Sequence, residues 1–326
     1  MTGLTCAVSD KRQSPKVMVG QLDPSFAALL SDPRVALRPP PPGISINEVR
    51  LAANRFLAKA PRPQIHSAVD YSIGILAEPL TVRLYRPSSQ PGLPIILFVH
   101  GGGFILGNLE THDAMARELA NRANAVIVAV DYRLAPEYPF PAALDDCTTA
   151  LEWVLAEAAT LAVDPSRVSL AGDSAGGQLA VATALRCSRS GTRLRHVALL
   201  YPLLDPHRAS PSARTLAEGY MLTGSFIEWA WSAYRGRPDI ADSPLFDVEH
   251  AVLENFPPTT IVTAQFDPLR DEAEAFSARL ERAGVPVELK CYQGMIHGFA
   301  GFPHLTPVAN EAVEFLAQRL ASSLAV

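Results

Sequence analysis

From residue 80 onward the chain alternates short apolar runs of strand length with amphipathic stretches of helical period, and no other feature narrows the fold as far. Residues 80–86, 94–100, 125–130, 167–171, 197–201, 259–264 and 287–292 read as strands, rich in Val, Ile and Leu. Residues 111–122, 142–158, 174–189, 271–283 and 307–320 read as helices among them. Parallel strands need long crossovers, and helical crossovers cover both faces of a sheet. The pattern therefore predicts an α/β fold with a mostly parallel central sheet and helices on both faces. No repeat of fixed period is visible.

Two stretches stand outside the alternation. Residues 22–30 make a short amphipathic piece, and Pro39-Pro40-Pro41-Pro42-Gly43 then breaks any helix. Ser45-Ile46-Asn47-Glu48 has capping-box spacing, followed by Val49, Ala52, Ala53, Phe56 and Leu57 at helical period. Between residues 203 and 255 the alternation lapses again, and Ser225-Phe226-Ile227-Glu228 repeats the capping-box spacing ahead of Trp229, Trp231 and Tyr234. The expected organisation is a helical cap segment over 1–60, a main α/β domain over 61–202 and 256–326, and a helical cap insertion over 203–255. Such a cap would close over the carboxyl edge of the sheet, where open α/β sheets bind ligands. Residues 1–20 read as a flexible lead.

Composition excludes several classes. With 48% hydrophobic and 19% charged residues in 326, the chain can bury a large core. A net charge of −5 and a pI of about 5.9 argue against a nucleic-acid partner or an anionic membrane surface. No apolar run reaches the roughly 18–20 residues of a spanning helix, and the first residues lack a secretory pattern. Cys6, Cys147, Cys187 and Cys291 are scattered without a C-x-x-C pair. Free thiols in a reducing cytoplasm are the expectation.

Chemistry enters at Gly172-Asp173-Ser174-Ala175-Gly176, a G-x-S-x-G between an expected strand and an expected helix. A strand that turns sharply into a helix strains its middle residue and exposes it at the helix N-terminus, where an oxyanion is favoured. The residues two positions either side must be small for the backbone to turn so tightly. His100-Gly101-Gly102-Gly103 follows another strand directly. Its glycines let main-chain N–H groups approach a developing negative oxygen. Gly102 and Gly103 are the expected donors with Ala175, and His100 is expected to brace the loop. A phosphate-binding loop would need a lysine or a dinucleotide spacing that GGGFILG does not have.

An acid and a histidine should follow the serine, each after a late strand. Asp267 and His297 hold those positions. His304 is the near rival for the base, and Asp271 for the acid. Asp271 stands where a helix begins and already has a structural reason as cap and dipole partner. No metal or cofactor motif is present, and a serine triad with water needs none. Phe226, Trp229, Trp231 and Tyr234 fall within nine residues, and at least one is expected to face a substrate pocket.

The segments HGGGFILGNLETHD, VDYRLAPEYPFPAALDD, GDSAGGQLA, FDPLRDEAEAF and GMIHGF run in order from about residue 95 to 300. In them the chain resembles the bacterial hormone-sensitive-lipase family of α/β-hydrolases. The resemblance implies a catalytic domain with a helical cap, carboxylesterase activity on short- to medium-chain acyl esters, and in many members a homodimer. It implies Ser174 as nucleophile, Asp267 as acid, His297 as base, and Gly102, Gly103 and Ala175 as oxyanion donors. A small-molecule ester is the expected partner. A lactonase, an amidase or a peptidase could use the same machinery, because fold and triad do not fix the leaving group. A non-catalytic small-molecule receptor on this fold would be marked by loss of the serine or the histidine, and both are present.

Overall fold

The computed structural model describes residues 20–74, 79–240 and 243–325. The expected lead over 1–20 lies, but for Gly20, outside the described residues, as does Cys6. Cys147, Cys187 and Cys291 are free thiols.

The chain begins with two helices, α1 (Pro24–Leu30) and α2 (Ile46–Leu57). Ser45 caps α2 in the expected way: its side chain accepts from Glu48 N, and the Glu48 carboxylate accepts from Ser45 N. Three strands follow, β1 (Ser67–Ile73), β2 (Leu80–Arg86) and β3 (Leu93–Val99). Next come α3 (Asp113–Ala123), β4 (Val126–Asp131), α4 (Ala142–Ala156), β5 (Val163–Asp173), α5 (Ala175–Ser190) and β6 (His196–Leu200). The short α6 (Pro211–Thr215) and α7 (Gly224–Arg235) stand before β7 (Thr259–Phe266). The chain closes with α8 (Arg270–Arg282), β8 (Val287–Ile296) and α9 (Pro307–Leu324).

Among the described residues these strands form one eight-stranded sheet in the order β1-β2-β4-β3-β5-β6-β7-β8. Strands β3 to β8 pair in parallel, whereas β1 and β2 are antiparallel to their neighbours. β3 shows why the sheet needs cover on both sides. All seven of its residues are buried. Ile95, Leu97 and Val99 pack with Leu144 of α4 and Val181 of α5, and Ile96 and Phe98 pack with Leu119 of α3 and Leu316 of α9.

Two expectations are corrected. β1 was not foreseen as a strand: at the sheet edge most of its residues stay partly exposed, so Ser67-Ala68-Val69-Asp70-Tyr71 carries no apolar run. The second capping box is also misplaced. α7 starts at Gly224, and its N-cap is Thr223, whose hydroxyl accepts from Phe226 N at 3.2 Å. Ser225 lies inside the first turn, because Thr223 already supplies the acceptor that the third helical N–H needs.

The N-terminal segment and the α6–α7 segment meet. Leu37 forms a parallel bridge with Leu222, Leu37 N donates to Met221 O at 2.8 Å, and Thr223 Oγ1 donates to Leu37 O. Arg50 of α2 reaches the loop after β3, donating to Ile105 O at 2.8 Å, and pairs with Glu137 at 2.7 Å. No helix among the described residues is long and apolar enough to cross a membrane.

Candidate active site

β5, β7 and β8 run parallel, so their carboxyl ends share one edge of the sheet. Ser174, Asp267 and His297 are each the residue immediately after one of those strands. That shared edge brings together three residues far apart in sequence. His297 Nε2 lies 2.9 Å from Ser174 Oγ, and His297 Nδ1 lies 2.8 Å from Asp267 Oδ2. The other Asp267 oxygen accepts from Leu269 N at 2.8 Å, which fixes the carboxylate in its plane. Asp267 is fully buried, and Ser174 is 9% exposed.

Ser174 sits at φ +52°, a strained value for a residue with a side chain. The turn around it works only with glycine on either side. A Cβ at Gly172 would stand 2.3 Å from Gly176 O, and one at Gly176 would stand 2.1 Å from Val99 O.

The loop after β3 lies against this turn. Gly101 N donates to Asp173 Oδ1 at 2.9 Å, while His112 Nε2 lies 3.3 Å from the other Asp173 oxygen. Burial alone would raise the Asp173 pKa. The neighbouring His112 imidazole and the Gly101 N–H outweigh it and hold the carboxyl below its usual value. Gly102 and Gly103 adopt φ +122° and +64° and line the cavity described below. Ala175 is the first residue of α5 and fully buried. His100 braces the loop from beneath: its ring stacks on Tyr132 at 4.3 Å, and Tyr132 Oη donates to His100 O at 2.9 Å. Burial pushes the His100 pKa down to about 3, so its ring is neutral.

A cavity of about 460 Å³ lies against Ser174 and His297. Ala53, Phe56 and Leu57 of α2 and Phe226, Ile227 and Ala230 of α7 line it. Of the four aromatic residues of which at least one was expected at a pocket, Phe226 is in the wall of this cavity. Trp229, Trp231 and Tyr234 do not line this cavity. Trp231 and Tyr234, each four positions past the cavity-lining Ile227 and Ala230, pack on Phe104 and Phe246 instead, within a buried aromatic cluster that also includes Phe140. Trp229 is partly exposed and meets Phe226 edge-on at 5.6 Å. The cavity meets the first two turns of α7, and the aromatic cluster fills the space beside the helix further along.

The two rivals are also placed. His304 lines the cavity, but the imidazole bonded to Ser174 Oγ is that of His297. Asp271 is the second residue of α8, and its carboxylate accepts from Ser212 N of α6 at 2.8 Å. Sequence reasoning passed over His112, Asp173, Tyr201 and Glu272. Tyr201 packs edge-on against the His297 ring at 4.9 Å. Glu272 accepts from Leu204 N at 2.6 Å and Asp205 N at 3.3 Å, and burial pushes its pKa well above the usual carboxyl range. His112 and Asp173 stand inside HGGGFILGNLETHD and GDSAGGQLA, so the motifs contained a signal for them.

A family model described as the alpha/beta hydrolase fold matches residues 96–301. The chain belongs to that family, in its hormone-sensitive-lipase-like branch. This α/β-hydrolase is 36% identical over 282 residues to the esterase LipI of Mycobacterium tuberculosis, covering 82% of this chain and 87% of that one. It is 41% identical over 239 residues to the carboxylesterase NlhH of the same species, covering 72% and 75% of the two chains. A solved structure of an esterase from Pyrobaculum calidifontis superposes with a TM-score of 0.85 at 35% identity, covering 93% of this chain and all of that one.

Proposed function

We propose that this α/β-hydrolase is a serine carboxylesterase acting on short- to medium-chain acyl esters. The observation that carries the reading is the unbroken hydrogen-bond chain from Ser174 Oγ through His297 to Asp267 at the wall of an apolar cavity. Ser174 Oγ attacks the ester carbonyl while His297 Nε2 takes its proton. Asp267 holds the imidazole in the tautomer that presents a bare Nε2 and stabilises the imidazolium. The N–H groups of Gly102, Gly103 and Ala175 receive the tetrahedral oxyanion. The alcohol leaves with the proton from His297, and water deprotonated by the same imidazole releases the acid from Ser174.

The N-terminal helices and the α6–α7 insertion act as the cap. They supply most of the apolar cavity wall opposite the carboxyl edge of the sheet, and they are hydrogen-bonded to one another. Names of the relatives support the ester class, and no feature of the site favours an amide or a lactone over an ester.

An organophosphonate tests the reading. It should label the wild type once per chain, at Ser174, and Ser174→Ala should lose labelling and ester hydrolysis together. Stoichiometric labelling at another serine, or hydrolysis retained by Ser174→Ala, would overturn the assignment.

A further inference from the structure

Away from the cavity, three side chains converge where the two ends of the α6–α7 insertion meet. His207 lies seven residues past the end of β6, Asp247 is the N-cap of the short 3-10 turn Val248–His250 ahead of β7, and His250 is its last residue. His207 Nε2 is 3.1 Å from Asp247 Oδ2, and His250 Nε2 is 3.5 Å from the same oxygen. One ligand atom from each of the three residues falls within 4.8 Å of the other two. A tetrahedral ion with bonds of about 2.0–2.2 Å holds its ligand atoms roughly 3.3–3.6 Å apart. The two measured edges nearly span that separation.

The anchor of the group is already oriented. Asp247 is buried, and its other oxygen accepts from Glu249 N at 3.1 Å, so Oδ2 is the one left facing the two imidazoles. Arg279 of α8 holds the turn itself, donating to Val248 O at 2.9 Å and Ala251 O at 2.8 Å. On the other side, His207 N donates to Asp205 Oδ1 at 2.7 Å. The two histidine side chains are 56% and 77% exposed, so solvent and ions reach them and a fourth coordination position stays open.

We propose that His207, Asp247 and His250 bind one divalent transition-metal ion of the zinc class, which ties the two ends of the insertion together. Two imidazoles and one carboxylate suit Zn²⁺, Co²⁺ or Ni²⁺, whereas Ca²⁺ and Mg²⁺ call for six or more oxygen ligands. Each neutral imidazole coordinates through Nε2 and keeps its proton on Nδ1. The ion bridges positions 40 residues apart, with α6 and α7 between them. It binds the folded chain and not the open one, and so raises the melting temperature. Its ligands are distinct from Ser174, Asp267 and His297, so it takes no part in the ester chemistry.

The test uses the full chain without a polyhistidine tag, stripped with EDTA and dialysed. Titration calorimetry with ZnCl2 should show one saturable equivalent, and CoCl2 should behave alike. Melting temperature should climb with the logarithm of zinc concentration, and CaCl2 or MgCl2 should do neither. His207→Ala and His250→Ala should each weaken zinc binding by more than about tenfold and abolish the thermal shift, while hydrolysing ester at the wild-type rate. A wild type that takes up no zinc equivalent, or zinc binding unchanged in both variants, would overturn the proposal.

Discussion

Asp267 and Asp271 are one helical turn apart in sequence and do unlike things. Asp267 bonds the imidazole of His297, and Asp271 ties α8 to α6 through Ser212. On the proposed mechanism Asp267→Asn keeps the fold and lowers kcat by up to about 10⁴-fold, the size seen when a protease triad loses its tautomer control. Asp271→Asn leaves an amide oxygen for Ser212 N and loses a charge from the first turn of α8, so it should cost about 1 kcal/mol or less and spare kcat. Steady-state kinetics and urea midpoints on the two variants decide, and the reverse ranking would move the acid to Asp271. Phe226 makes a second contrast. Its ring touches the space beside Gly103, where a Cβ would come within 2.9 Å of Cε1. Phe226→Leu should move the acyl-length optimum beyond about butyrate or hexanoate, each further buried methylene contributing about 0.8 kcal/mol. Trp231→Phe, in the aromatic cluster with Phe104 and Phe246, should leave that optimum where it is. A C2–C16 nitrophenyl ester series with the two responses exchanged would show that Phe226 does not bound the acyl chain.

At the scale of elements, α7 hangs on one hydroxyl. Thr223→Ala removes the acceptor for Phe226 N and the donor to Leu37 O, so it should destabilise by about 1–2 kcal/mol. Ser225→Ala, in the position that looks like a cap in sequence, should stay within about 0.5 kcal/mol. Equal losses in thermal unfolding would return the cap to Ser225. The same pair shows where sequence patterning stops. Central strands such as β3 are legible because burial on both faces demands an uninterrupted apolar run. β1 is not legible, since an edge strand with one half-wetted face imposes no such demand. At the site, Gly172, Gly176 and Gly102 stood out because backbone contacts leave no room for another residue, and at Gly103 the Phe226 and Ala230 side chains crowd the space. The cavity wall did not. Phe56 and Leu57 follow a helical period that describes packing against protein as well as against substrate, and only the tertiary arrangement says which.

Over the whole molecule, acid should act through two imidazoles that are no part of the ester chemistry. Burial lowers the His100 pKa from the usual 6.5 to about 3 and that of His196 to about 4. The folded values lie below the unfolded one, so the unfolded chain binds the extra protons between them. Their stabilisation is therefore complete above about pH 6.5 and is lost as the pH falls toward the folded values. At pH 5 each imidazole should withdraw roughly 2 kcal/mol relative to pH 8. Urea midpoints at the two pH values should differ accordingly. His196→Gln, which keeps a partner for Thr260 Oγ1, should remove about half of the difference. A variant with the wild-type pH dependence would show that His196 does not titrate on unfolding.

The bond from Thr223 to Leu37 spans 186 residues, and Phe56 packs on Phe302. During synthesis at roughly 5–20 residues per second, Leu37 leaves the ribosome on the order of 10–40 s before Met221 and Leu222 exist. Through that interval the apolar side of α2 has none of these partners, and a nascent chain carries it bare. That side of α2 is thus open to aggregation and to chaperones for as long as the interval lasts. Ribosome-bound chains stalled before residue 220 should be cut by protease within 46–57, and released full-length protein should resist there. Equal protection in both would mean that α2 docks on the early strands alone and needs neither partner.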